Sequence, residues 1–364
     1  MMMTIAVPIH RSVKSLIIRI WGIFERSLFV ANSFGIDLGT SNIKIFSEES
    51  KSIFVERNMI AIENKRNLLA YGDSAYAMYE KSPANIVASY PVCNGVIADI
   101  QNMETLIKYF ITDLSKGNLK PSDFYVAVPT DVTEVEKKAF YDLIKESGVK
   151  AHKIMVVEKA IADGLGLGID VKTSQGVMVV NVGYATTEIS ILSLGGIVLS
   201  RLIKVGGFKF GEAIRNAIRK EFSLIIGEKS AEKTMEQMLE LERAGEPALV
   251  FGRDIVSGLP IERQIPTKLL DESLMELFSQ IIDNIKVILE RTPPELGADI
   301  RRQGIYLTGG ASQVVRLAPL IERVTDLKVN IPEEPTTTVA LGLAKVIKDS
   351  KFNSLAYVIE GMGR

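Results

Sequence analysis

Two stretches of this sequence carry residue types that cradle an anion: Phe34-Gly-Ile-Asp-Leu-Gly-Thr-Ser-Asn42 and Val180-Asn-Val-Gly-Tyr-Ala-Thr-Thr-Glu188. In each, an apolar run passes through a polar residue and Gly into Thr/Ser and returns to an apolar run, the pattern of strand, tight turn, strand. In the first, Gly35 and Gly39 leave the backbone free to approach an anion, and exposed N–H groups in such a turn form a nest. Thr40, Ser41 and Asn42 add hydroxyl and amide donors, and Asp37 is placed to orient metal-bound water beside phosphates. A third glycine site, Gly304-Ile-Tyr-Leu-Thr-Gly-Gly-Ala-Ser312, leads from an apolar strand through Gly309, Gly310 and Ala311 into a helical pattern, which permits close approach of a phosphate or sugar. The sequence has no Gly-x-x-x-x-Gly-Lys-Ser/Thr stretch and no Gly-x-Gly-x-x-Gly opening a helix after a strand, so the P-loop and dinucleotide-binding readings lose their main support.

The elements that must position these residues follow from the repeat. The two hairpins lie about 145 residues apart, and such a duplication implies two similar lobes with one ligand between them. Strand patterns alternating with helical ones, as in 177–192 followed by 208–222, place the fold in the α/β class. A chain of 364 residues, 47% hydrophobic and 24% charged, is large enough for two lobes with a substantial core. A net charge of −1 argues against bulk attraction to nucleic acid. The single cysteine, Cys93, excludes an internal disulfide and fits a reducing compartment, and two histidines leave little for metal clusters or Ser-His-Asp chemistry.

After Pro129, Thr133-Glu-Val-Glu136 opens an amphipathic helix in which Val135, Ala139, Leu143 and Ile144 share a face. Glu136, in its first turn, has two readings from the residues alone: a carboxylate that positions an attacking water, or the partner of Thr133 in a capping box.

From about Ser33 to about Lys348 the sequence resembles the actin, Hsp70 and sugar-kinase superfamily, and within it the MreB family of bacterial actins. The stretches that carry the likeness are Gly-Ile-Asp-Leu-Gly-Thr at 35–40, Asn-Gly-Val-Ile-Ala-Asp at 94–99, Val-Pro-Thr-Asp-Val-Thr-Glu-Val-Glu at 128–136 and Ile-Gly-Glu-Lys-Ser-Ala-Glu at 226–232. Gly-Arg-Asp-Ile-Val-Ser-Gly-Leu-Pro at 252–260, Thr-Pro-Pro-Glu-Leu at 292–296, Leu-Thr-Gly-Gly-Ala at 307–311 and Val-Ala-Leu-Gly at 339–342 complete it. The resemblance implies a two-lobed actin-like ATPase fold, ATP with Mg2+ in the cleft, and self-assembly into membrane-associated filaments that serve the cell-shape and cell-wall synthesis machinery. It implies Glu136 as the residue positioning the attacking water, with Thr186 and Thr187 able to orient it. For the phosphates it points to the first hairpin and to Gly183, Tyr184 and Ala185, and for base and ribose to Gly206, Gly207, Glu228, Lys229 and the Gly309-Gly310 turn.

The second hairpin departs from the family pattern Asp-Ile-Gly-Gly-Gly-Thr-Thr-Glu. Asn181 replaces a carboxylate that would help hold the magnesium hydration shell, which leaves Asp37 to serve alone. Tyr184 and Ala185 add Cβ atoms where glycines would let amides close on phosphates. Phe208 stands where the family tends to have Asp after the paired glycines. Nucleotide binding with slow or absent hydrolysis is the expected outcome.

Before the family core, Val13, Leu16, Ile17, Ile20, Phe24 and Leu28 recur at helical spacing with Trp21 beside them, while Arg11, Lys14, Arg19 and Arg26 lie largely off that stripe. This reads as a basic amphipathic helix lying in a membrane interface, and its charges interrupt any span. The family's hydrophobic loop corresponds to Lys116-Gly-Asn-Leu-Lys-Pro121, with Leu119 retained. The expected organisation is an extension over 1–33, a first domain over 34–179 plus 339–364 with an insert at about 55–90, and a second over 180–338 with an insert at about 215–265. The expected location is cytoplasmic, peripheral on the inner membrane face. A small-molecule kinase of the same superfamily would need a carboxylate base near a substrate pocket, and only Glu136 presents itself; an Hsp70-like chaperone would need a peptide-binding domain. A plasmid-partitioning actin is disfavoured by the 252–260 and 292–296 matches.

Overall fold

A computed structural model describes residues 32–359. The first hairpin is formed by β1 (Asn32–Leu38) and β2 (Asn42–Ser47), with β3 (Ser52–Arg57) antiparallel to β2. On the other edge of β1, β4 (Ser122–Val128) runs parallel to it, and β5 (Ala151–Glu158) parallel to β4. The second hairpin, β6 (Val177–Val182) and β7 (Thr187–Ser193), is extended by antiparallel β8 (Gly196–Ile203). Parallel β9 (Ile305–Thr308) and β10 (Val329–Asn330) continue that sheet from β6. The orders β3-β2-β1-β4-β5 and β8-β7-β6-β9-β10 are one arrangement built twice. A last strand, β11 (Ala356–Tyr357), pairs antiparallel with β5. Central strands such as Val177-Met-Val-Val-Asn-Val182 are buried along their whole length, as their near-continuous apolar runs require.

Each sheet carries a small antiparallel sheet beside it. In the first half this comprises Ile60–Glu63, Asn67–Tyr71 and Ile86–Ser89 with helix α1 (Gly72–Met78). Then follow α2 (Glu134–Glu146), α3 (Lys159–Gly166), α4 (Gly207–Phe222) and α5 (Glu228–Ala244). The second small sheet, Leu224–Ile225, Ala248–Asp254 and Pro260–Ile265, packs with α5. The long helix α6 (Thr267–Arg291) buries Phe278 edge-on against Phe210 of α4, ring centroids 5.4 Å apart.

Between the sheets lie α3 and α7 (Thr338–Lys348), joined in a core that draws Val157 from one sheet, Val179 and Leu192 from the other, and Leu165 and Leu343 from the helices. A helix apolar all round belongs in such a place, and Ala160 to Leu165 of α3 are all buried, Asp163 among them. The two helices touch backbone to backbone: a Cβ on Gly342 would stand 1.6 Å from the Ala162 carbonyl oxygen. Gly35, expected to clear a path for an anion, serves packing instead, since a Cβ there would meet Leu343 Cβ at 2.8 Å.

Candidate functional site

A cavity of about 520 Å³ opens between the two hairpins. Of the residues expected at phosphate and metal, Asp37, Gly39, Thr40, Ser41, Asn42, Asn181, Gly183, Tyr184 and Ala185 line it. Thr186, Gly207, Glu228, Gly309, Gly310 and Ala311 line it as well. Gly206, Lys229, Thr187 and Glu136 do not. Thr187 is fully buried and its hydroxyl donates to the Val205 carbonyl at 2.8 Å. Glu136 is folded back on its own helix, where its carboxylate accepts the Thr133 N–H at 2.7 Å and the Thr133 hydroxyl at 2.8 Å. Of its two sequence readings, the capping box is the one formed. The Thr133 backbone N–H, then its hydroxyl, hold the Glu136 carboxyl below its ordinary range.

The two hairpins carry matched charge positions. Asp37 lies opposite Lys44 across β1 and β2, and Asn181 opposite Glu188 across β6 and β7, seven residues on in each case. Directly opposed residues on antiparallel strands are near neighbours, and Lys44 Nζ sits 3.2 Å from Asp37 Oδ2. From the start of α3, Lys159 Nζ approaches the other oxygen, Asp37 Oδ1, at 3.3 Å. Burial pushes the Asp37 carboxyl up, but the ammonium groups of Lys159 and Lys44 outweigh it and hold the group below its usual value.

Asn181 does not face the cleft alone, because its Nδ2 donates to Asp163 Oδ2 at 2.7 Å. Thr308, its neighbour across β6 and β9, donates to the same oxygen at 2.6 Å. Burial raises the Asp163 carboxyl, with these hydrogen bonds opposing. Glu188 is buried beside the cavity, takes a 2.6 Å hydrogen bond from Thr130, and is pushed up to about 7, chiefly by burial. Sequence reading missed Lys44, Lys159, Asp163 and Glu188 as site residues. Only Lys44 had a signal there, its fixed spacing from Asp37 across the turn.

One end of the cavity is closed by side chains that cross between the halves. Glu228 accepts from Tyr79 at 3.0 Å and also from Tyr184, while Glu80 accepts the Glu228 N–H at 2.9 Å. Glu232 accepts from Arg57 at 3.0 Å and from Tyr76 at 2.5 Å. Lys229 lies over the Tyr76 ring, 4.4 Å from its centroid. Tyr184 is not a bare obstacle in the turn: its ring packs between Tyr90 and Phe208, at 5.8 and 5.9 Å.

Magnesium fits this donor set poorly. It requires oxygen ligands in near-octahedral order, with one or two carboxylates. Both oxygens of Asp37 face ammonium groups and Asn181 is turned to Asp163. No group of three His, Cys, Asp or Glu that could hold a metal exists among the described residues.

Leu119 is half-buried against the core of the first half rather than free at the surface. Leu16, Ile17, Ile20, Trp21 and Phe24 lie outside the described residues. Among the described residues no helix is long and apolar enough to cross a membrane.

Two sheets of one order, flanking a cleft lined by two matched hairpins, define an actin-like fold. The MamK double helical filament subunit has it, with a TM-score of 0.73 at 22% identity over 87% of this chain and 99% of that one. Residues 31–354 match the MreB/Mbl protein family. The cell shape-determining protein Mbl of Bacillus subtilis (strain 168) is 37% identical over 316 residues, 86% of this chain and 94% of the relative. MreB of Escherichia coli (strain K12), also a cell shape-determining protein, is 34% identical over 334 residues, 89% and 95%. MreB5 of Spiroplasma citri, solved bound to AMPPNP, superposes with a TM-score of 0.81 at 32% identity, over 89% of this chain and 98% of that one. The chain belongs to the MreB/Mbl family of actin-like, cell shape-determining proteins.

Proposed function

We propose that this chain binds ATP between its two halves and polymerises into filaments on the inner face of the cell membrane, where they direct cell shape with slow or absent hydrolysis. The observation that carries the reading is the convergence of both hairpins and the Gly309–Ala311 turn on one cavity. Support for the ligand comes from the MreB5 structures of Spiroplasma citri with AMPPNP and with ADP. Support for the role comes from the cell shape-determining relatives, and the filament fold of MamK is compatible with self-assembly. In this reading one lobe takes residues 34–179 plus 339–364, and the inserts at about 55–90 and 215–265 contribute contacts between subunits.

The positions of the carboxylates support slow hydrolysis. Glu136 is committed to its cap. Glu188 lines the cavity, but its carboxylate is held by Thr130 at 2.6 Å, and burial pushes it up to about 7. Thr186 is the family threonine that faces the cleft and can bond a water. With Leu119 half-buried, the basic amphipathic segment within residues 1–33 supplies most of the membrane affinity, multiplied along a polymer. Phosphate release measured beside pelleting and electron microscopy tests the central reading, with filaments and little release expected. Brisk turnover without assembly would favour a soluble phosphotransferase. For the anchor, a chain beginning at Ser33 that still sediments with anionic liposomes would exclude it.

A further inference from the structure

We propose that Lys159 is a built-in cation standing where a divalent metal would sit, so that this chain binds nucleotide without magnesium. The proposal rests on the nucleotide-binding reading above. One carboxylate touches the Lys159 ammonium, and two others attract it from farther off. Asp37 of β1 is in contact at 3.3 Å, and Glu188 of β7 and Asp163 of α3 add attraction. The cation beside Asp37 is thus a side chain of the chain itself.

The charge count agrees. Counting only what touches Asp37, one divalent ion would leave a net +1, and Lys44 with Lys159 leave the same. Both lysines line the cavity, on either side of Asp37. Lys159 is 22% exposed at its side chain, and an ammonium has three donors. Asp37 engages one side, and the cavity face remains for a phosphate oxygen, which lysine binds as a point charge. Burial disfavours the charged amine, but Asp37 foremost, then Glu188 and Asp163, outweigh it. A divalent ion brought to Asp37 would meet two ammonium groups already within 3.3 Å of its carboxylate oxygens, which is direct like-charge repulsion at short range. The change to Asn181 is consistent with this arrangement: a carboxylate at that strand position, expected to serve a metal's hydration shell, is superfluous once the cation is a fixed monovalent side chain.

The test is calorimetric titration of the full chain with AMPPNP, in magnesium and in excess EDTA, for wild type, Lys159→Met and Lys159→Arg. The dissociation constant of the wild type is expected to differ by less than about threefold between the two conditions. Lys159→Met is expected to lose about tenfold or more in EDTA, while Lys159→Arg, which keeps the charge, retains binding. Nucleotide-induced shifts of the melting temperature give a second readout and report whether each variant is folded. A wild type that binds in magnesium and weakens tenfold or more in EDTA overturns the proposal and leaves nucleotide binding intact. Lys159→Met binding as tightly as wild type in EDTA overturns it too, as does equal loss in folded Met and Arg variants. No binding in either condition overturns the nucleotide reading, and this proposal with it.

Discussion

Asn181 Nδ2 donates to the buried Asp163 carboxylate at 2.7 Å. The amide that departs from the family pattern in the second hairpin is thus part of a hydrogen-bonded pair. Asn181→Asp alone would set two carboxylates at that separation in a buried place. It is expected to destabilise the fold by about 3 kcal/mol, since a buried charge without its partner is costly. Asn181→Asp combined with Asp163→Asn is expected to recover most of the loss. Denaturant titration of the two variants decides it, and equal stability of single and double variants would contradict the pairing.

Glu188 gives a pH signature. Its folded value of about 7 lies above the ordinary 4.5, so the folded state holds the proton more tightly than the unfolded one. That contribution is fully present below about pH 4.5 and is lost as pH rises through about 7. Wild type should therefore lose roughly 3 kcal/mol relative to Glu188→Gln across that interval, in the limit of one isolated group. Melting curves of both proteins at acidic and mildly alkaline pH measure it. Parallel pH dependence in the two would contradict the assignment.

The hairpins were legible because turn chemistry is local: Gly39, Thr40 and Ser41 announce a nest in consecutive residues. The capping box at Thr133 and Glu136 was equally local, although sequence alone left its role open. Lys159 and Asp163 were not legible. Nothing in Val157-Glu-Lys-Ala-Ile-Ala-Asp163 matches a turn or capping pattern, and only the burial of α3 between two sheets turns the two side chains toward Asp37 and Asn181. Their partners lie up to 145 residues away in sequence, so no spacing rule could join them. The closure by Tyr76, Tyr79 and Arg57 was missed for a similar reason, since these residues reach the second half across the cleft.

Gly342→Ala tests the contact between α3 and α7. The added Cβ would fall 1.6 Å from the Ala162 carbonyl oxygen, so the helices must separate and the shared core must open. Overpacking is expected to cost about 1–3 kcal/mol, and this site stands at the upper end of that range or above it. Soluble yield and denaturant midpoint report it, and a midpoint equal to wild type would mean that the helices are farther apart than described.

Glu232→Ala should loosen the cleft. It removes the Arg57 ion pair and the Tyr76 hydrogen bond in one step, and hydrogen bonds to charged groups contribute about 1.5–3 kcal/mol each, so the open population should rise about tenfold or more. Faster hydrogen exchange in α1 and α5, with nucleotide affinity lowered, is the expected result. Unchanged exchange would show that the closure rests on other contacts.

ATP-dependent sedimentation of the purified full chain, read together with phosphate release, tests the central claim most directly. Protein in the pellet with ATP and with AMPPNP, filaments in the same samples, and little phosphate released would agree with a nucleotide-bound filament whose turnover is slow. A chain that stays in the supernatant with every nucleotide while releasing phosphate steadily would contradict it.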